Sequence, residues 1–163
     1  MKGVGKAILA VIAVALLLEP LVEVINVMRE KIVISSALWN ACNAASQRSV
    51  VYEHLRDRNI EIDEELYKQY FSEAFEDAID GRLVFSAGNT LRFSSYNDNF
   101  NEFEVYLDFK RKTDYRGLSV VEVTARAESI YKFKTKYLIT ANDFSNLEFS
   151  MVCERSMLLQ VNN

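Results

Sequence analysis

The sequence predicts an α+β fold, a long N-terminal helix that is first apolar and then amphipathic, with a second helix packed on an antiparallel β-sheet. Three observations carry this. No Gly or Pro interrupts the chain between Pro20 and Gly81, and the first half of that interval has helical periodicity. A second amphipathic stretch follows a helix-start signal at Asp63. From Gly81 onward the apolar period changes to two, with turn residues between the runs.

The first element opens with MKGVGK, in which Lys2 and Lys6 precede the apolar run AILAVIAVALLLEPLVEVINVM, Ala7 to Met28. Basic residues ahead of an apolar segment place the N-terminus in the cytoplasm and the remainder outside. The uninterrupted core, Ala7 to Leu18, is 12 residues, about 18 Å of helix, which suits a signal h-region and falls short of a bilayer of about 30 Å. No small-residue A-x-A pattern follows; LLLEPLVEV stands there instead, so the segment is expected to be retained. Continued to Met28 it is long enough to span, and it then carries Glu19, Pro20 and Glu23. Each ionised carboxylate at that depth costs about 2.5–3.5 kcal/mol. Pro20 removes the hydrogen bond to the carbonyl of residue 16 and loosens or kinks the helix. These costs are smallest if the segment rests finally against protein rather than lipid. The simpler reading is a tilted single-pass anchor whose outer end begins at Glu19.

The helix is expected to run on to about Arg58. Glu19, Glu23, Asn26 and Glu30 form one polar stripe, and Ile34, Leu38, Ala41, Ala45, Tyr52 and Leu55 an apolar one. The small residues of ACNAAS, Ala41 to Ser46, let another backbone approach. Asp63 is the expected cap of the second helix, with Glu64 and Glu65 favourable in its first turn. Leu66, Tyr67, Tyr70, Phe71, Ala74, Phe75, Ala78 and Ile79 give that helix its expected core face. LVFS and TLRFSSY around AGN read as a hairpin, and FEVYLDF turns Phe103, Val105, Leu107 and Phe109 inward. Val121 to Tyr137 alternates throughout, as one bent strand or two, and LEFSMVC closes the sheet with Leu147, Phe149, Met151 and Cys153 turned inward. The division expected is 1–28 as hydrophobic helix and 29–163 as an extracytoplasmic α+β head that includes the second half of the long helix.

The composition argues against several functions. A net charge of −4 gives no basic excess, so nucleic acid is not expected as a primary ligand. With one His (His54), two Cys, and no CxxC, HExxH or GK[ST], neither a metal nor a cofactor is expected. No carboxylate pair stands apart from a solvated face, so no catalytic residues are assigned and no enzyme is expected. Cys42 and Cys153 both belong on faces turned to the core: either they form a bridge pinning sheet to helix, worth up to about 4.7 kcal/mol by chain entropy, or they are two buried thiols. YKFKTKY sets Lys132, Lys134 and Lys136 in a row. A polyanion surface is one reading; the favoured one has the lysines as solvated strand charges that oppose edge aggregation.

A basic N-terminus, a long apolar-then-amphipathic helix and a small antiparallel sheet together resemble type IV pilin-like proteins. LLLEPLVEV followed by ISSALWNACNAASQRS is most similar to the tight-adherence pseudopilins, whose apolar segment carries a proline and runs into a helix rich in small residues. The likeness spans the chain as architecture and about the first 50 residues as sequence. A leader ending at Gly3 would leave Ile8, not Glu, at the fifth position, which departs from the pilin pattern. The resemblance implies a structural subunit of an extracellular filament, held in the membrane before assembly with its N-terminus inside. Its partners would then be copies of itself. Lys2, Lys6, Glu19, Pro20 and Glu23 would be the residues of subunit packing, Glu19 or Glu23 meeting the amine or lysines of a neighbour. A single-pass anchored component of a secretion or pilus assembly machine is the alternative.

Overall fold

The computed structural model describes residues 2–50, 61–96, 100–113, 115, 117, 119–135, 138–140, 142 and 149–159, with backbone alone at 2, 15 and 16. The chain is α+β, as expected: a long N-terminal helix, a second helix and a five-stranded antiparallel sheet. Helix α1 spans Lys2–Ser49, 48 residues and about 72 Å at 1.5 Å per residue. It passes through Pro20 without interruption. It ends short of Arg58, because Val50 pairs with Ile62 in an antiparallel bridge and the Asp63 N–H donates to the Ser49 carbonyl at 3.1 Å. Tyr52, His54 and Leu55 lie outside the described residues.

Helix α2, Glu64–Ile79, starts where its cap requires. Asp63 Oδ1 accepts from the Glu65 and Leu66 N–H groups at 3.1 and 3.0 Å, satisfying two donors that have no partner inside the helix. Asp80 closes it in the left-handed conformation, φ 51°. A Cβ on the following Gly81 would stand 2.7 Å from the Ser94 carbonyl oxygen, so no larger residue fits there without moving backbone.

Strands β1 (Gly81–Ala87), β2 (Thr90–Ser95), β3 (Phe103–Thr113), β4 (Ser119–Ile130) and β5 (Ser150–Leu159) form a meander in sequence order. Period two sends Leu91, Phe93, Phe103, Val105, Leu107, Val121, Val123, Ala125 and Ala127 to one buried face. That face is covered by the two helices: α2 lies over β1 and β2, the second half of α1 over β4 and β5. Ile34, Ala37, Leu38, Ala41 and Ala45 of α1 are buried there, with Tyr67, Phe71, Phe75 and Ile79 of α2. The small residues of ACNAAS do admit a close neighbour: the Tyr67 hydroxyl reaches the Cys42 carbonyl at 3.5 Å, and Ser46 Oγ the Met157 sulfur at 3.1 Å. The outer sheet face carries exposed ion pairs such as Lys112–Glu122, worth little individually.

Two strand expectations need correction. Alternation continues to Tyr137, but β4 stops at Ile130 and Tyr131–Thr135 leave the sheet. The last strand begins at Ser150 and runs on to Leu159, leaving Phe149 half exposed ahead of it; Leu147 lies outside the described residues.

Candidate functional site

The segment that leaves the sheet goes to the carboxylates of α1. Glu23 Oε1 accepts the Lys134 backbone N–H at 2.8 Å, and Oε2 the Thr135 N–H at 3.0 Å. Farther along the same face of the helix, Glu30 Oε2 meets Lys134 Nζ at 3.1 Å. Both carboxylates are buried, Glu23 at 3% and Glu30 at 4% exposure. Lys134 Nζ also stands over the Phe100 and Tyr131 rings, 5.7 and 6.0 Å from their centroids, a placement that favours the cation. The Tyr131 and Thr135 hydroxyls are buried here without a well-formed hydrogen bond among the described residues. Burial, and then the adjacent Glu23, push the Tyr131 phenol up, keeping it neutral. The whole forms a clasp: two helix carboxylates hold the strand-exit segment of the head by its backbone and by one lysine.

The two carboxylates differ in kind. Glu23 answers backbone donors, which cannot be supplied elsewhere. Glu30 answers a lysine that can reach water. Burial raises the Glu30 pKa above the ordinary carboxylate value, against the lowering effect of Lys134. The folded chain therefore holds this proton more tightly than the unfolded one: Glu30 favours folding below its ordinary pKa and opposes it as pH climbs through the raised value. Glu30→Gln should lessen that loss. Urea unfolding of the detergent-solubilised chain at mildly acidic and neutral pH is expected to show the variant gaining on the parent as pH rises, with a net change within about 1 kcal/mol.

The far side of α1 is the second feature. Ile25, Met28, Ile32 and Trp39 expose 57, 60, 64 and 46% of their surface. Their spacing alternates three and four, with Ser35 filling the remaining step, and extends backward through Leu21, Leu18, Val14 and Val11, all exposed. These positions fit a heptad spacing, period 3.5, within a stretch of α1 where Val22, Val24 and Val33 are exposed as well. Glu23 and Glu30, themselves seven apart, occupy the opposite side of the helix. A shallow groove that includes part of the seam is lined by Met28, Lys31, Ile32, Ser35 and Ser36 of α1 and Arg155 of β5. The sequence reading missed this seam because in Ala7–Leu18 every position is apolar and any period fits. Only the positions beyond Glu23 make 3.5 visible.

Of the residues expected to pack subunits, Lys6, Glu19 and Pro20 lie exposed on α1, and Lys2 opens that helix. Glu23 is committed within its own chain. Of the lysine row, Lys132 is exposed, Lys134 is bound into the clasp, and Lys136 lies outside the described residues. Cys42 and Cys153 are buried free thiols. No bridge joins them because their heights on α1 differ: Cys153 Sγ lies 3.7 Å from the Lys31 carbonyl oxygen, whereas Cys42 is eleven residues farther along, about 16 Å of helix, and a disulfide needs Cα atoms within about 7 Å. Burial pushes the Cys42 thiol up to about 11, and raises that of Cys153. Neither is expected to react with iodoacetamide in mildly alkaline buffer, and both should react once urea unfolds the head, as mass spectrometry would read.

Among the described residues, no cluster of His, Cys, Asp and Glu is arranged to hold a metal ion. Among the same residues one helix, at the N-terminus, is long and apolar enough to cross a membrane. Comparison with models of known families, with curated proteins and with solved structures finds no match for the chain.

Proposed function

We propose that this chain is a membrane-anchored subunit that assembles with copies of itself, through α1, into a pilin-like extracellular filament. The single observation carrying the reading is the exposed heptad seam. An anchor alone has no use for apolar positions beyond the Ala7–Met28 span, yet Ile32 and Trp39 continue the spacing of Ile25 and Met28 past Glu30. Supercoiled helix packing of copies would cover it by knobs-into-holes contacts. Before assembly the bilayer holds α1, with the basic end in the cytoplasm and the head outside. Electron microscopy of the purified protein and of producing cells is the test: fibres are expected, and a protein that stays monodisperse in detergent would contradict the reading.

One observation favours the second reading, a single-pass anchored component of an assembly machine. The clasp satisfies Glu23 and Glu30 within the chain, so the carboxylates themselves demand no neighbour. Replacing residues 1–22 by an unrelated span keeps the clasp and removes half the seam. A machine component would retain function after that exchange; a filament subunit would lose assembly.

A further inference from the structure

The clasp fixes a height along α1. With its N–H groups of Lys134 and Thr135 bound to the Glu23 carboxylate, the strand-exit segment sits level with Glu23. From Ala7 to Val22 the helix has sixteen residues, about 24 Å, and with Lys6 snorkelling to the inner headgroups it approaches the roughly 30 Å of a bilayer's hydrocarbon. On the anchoring reading above, on which this inference rests, the outer lipid boundary therefore falls at Glu23, and whatever surrounds the clasp faces headgroups. Glu19 then lies one turn inside that boundary, within reach of the interface.

What surrounds the clasp has the composition of an interfacial surface. Phe149, Ile139 and Ile130 expose 48, 41 and 45% of their surface. Phe149 is held there: its carbonyl accepts the Tyr131 N–H at 2.8 Å and its ring meets Tyr131 edge-on at 6.4 Å. Ile139 is tied back by its N–H to the Thr135 carbonyl at 3.0 Å. Exposed Lys132 lies between Ile130 and Ile139 in sequence, two residues before the clasp lysine. Apolar tips beside cations at the depth where a span ends are what a headgroup layer accommodates. The heptad seam lies on the opposite side of α1, so copies packed there leave this rim uncovered.

We propose that the rim around the clasp is a membrane-contact surface that seats the head on phospholipid headgroups. Phe149 and Ile139 enter the boundary between headgroups and acyl chains, and Lys132 meets lipid phosphate. The segment that breaks the alternation of β4 thus has two jobs, gripping the anchor and resting on the membrane that the anchor crosses.

The chain's single tryptophan supplies the internal control. Trp39 is 16 residues beyond Glu23, about 24 Å farther along α1 and clear of lipid. The full chain is reconstituted into phosphatidylcholine vesicles containing lipids brominated high on the acyl chain, with and without phosphatidylglycerol. Flotation first reports anchoring. In a Trp39→Phe background, the Phe149→Trp fluorophore is expected to be quenched several-fold more than Trp39 in the parent, and Ile139→Trp likewise. Lys132→Glu should abolish any increase in quenching that phosphatidylglycerol brings. A chain that floats while F149W and I139W are quenched no more than Trp39 overturns the contact and leaves the anchor standing. A chain that fails to float overturns both. Mutual shielding of the two fluorophores from lipid and from aqueous acrylamide would assign the rim to a second copy, and that also overturns the proposal.

Discussion

Glu23→Ala is expected to release residues 131–135 from α1 while leaving the sheet intact. The substitution removes the acceptor of two backbone N–H groups at 2.8 and 3.0 Å and leaves a hole beside the buried Tyr131 and Thr135 hydroxyls. Hydrogen bonds to a charged group contribute about 1.5–3 kcal/mol each, so the junction should lose about 3 kcal/mol or more. Lys134 would then hold the segment only through Glu30, an ion pair whose lysine is 43% exposed and easily rehydrated. Amide hydrogen exchange reads this directly. Protection at Lys134 and Thr135 should fall by roughly a hundredfold or more, following the 1.4 kcal/mol per decade scale, with protection in β3 and β4 unchanged. Glu23→Gln, which keeps one acceptor oxygen, should lose distinctly less. Equal loss in both variants, or unchanged protection in the alanine variant, would contradict the clasp.

Phe75→Ala is expected to have the larger effect, and a different reach. Phe75 is fully buried, with ring centroids 5.6 Å from Phe71, 4.8 Å from Phe93 and 6.3 Å from Phe103. It joins α2 to β2 and β3 at the centre of the head. Truncation should cost about 3–5 kcal/mol through lost burial and the cavity left behind, a large part of the roughly 5–15 kcal/mol that holds a domain folded. Urea unfolding of the detergent-solubilised chain should show the midpoint drop, and exchange should rise across β2 and β3 together. The start of α1 would feel nothing: the side chains described between residues 3 and 22 are all exposed, away from this cluster. The pair of variants therefore separates the junction from the core.

Local pattern made much of the fold legible. Period two placed the inward residues of β2, β3 and β4, AGN placed the hairpin turn, and Asp63 with its two glutamates placed the start of α2, because each of these depends on neighbours a few residues away. What escaped was set by partners far off in sequence. YKFKTKY alternates as well as any strand, yet it leaves the sheet past Ile130, and the N–H groups of Lys134 and Thr135 find Glu23, 111 and 112 residues earlier. Glu23 counted, with Glu19 and Pro20, as a burden on a lipid-facing helix, and Glu30 only as part of a polar stripe. The partners of Glu23 and Glu30 are N–H groups and a lysine of the head, which no spacing in the N-terminal run could reveal. The cysteines were rightly assigned to core-facing sides, but face alone carries no height, and height keeps them apart. The seam was readable from Ile25, Met28, Ile32 and Trp39; the uniformly apolar stretch before them hid its period.

The central claim is that this seam packs against copies of the chain. A photo-crosslinking amino acid in place of Ile32, which is 64% exposed at the middle of the informative part of the seam, tests it in membranes of producing cells. The native thiols, both buried, do not complicate the readout. Packing of copies in a helical array predicts a ladder of adducts at successive multiples of the 18.7 kDa chain, with the same substitution at exposed Tyr106 on the outer sheet face giving none. A chain that remains monomeric after irradiation, or that yields one adduct with a different protein, would contradict self-assembly through α1.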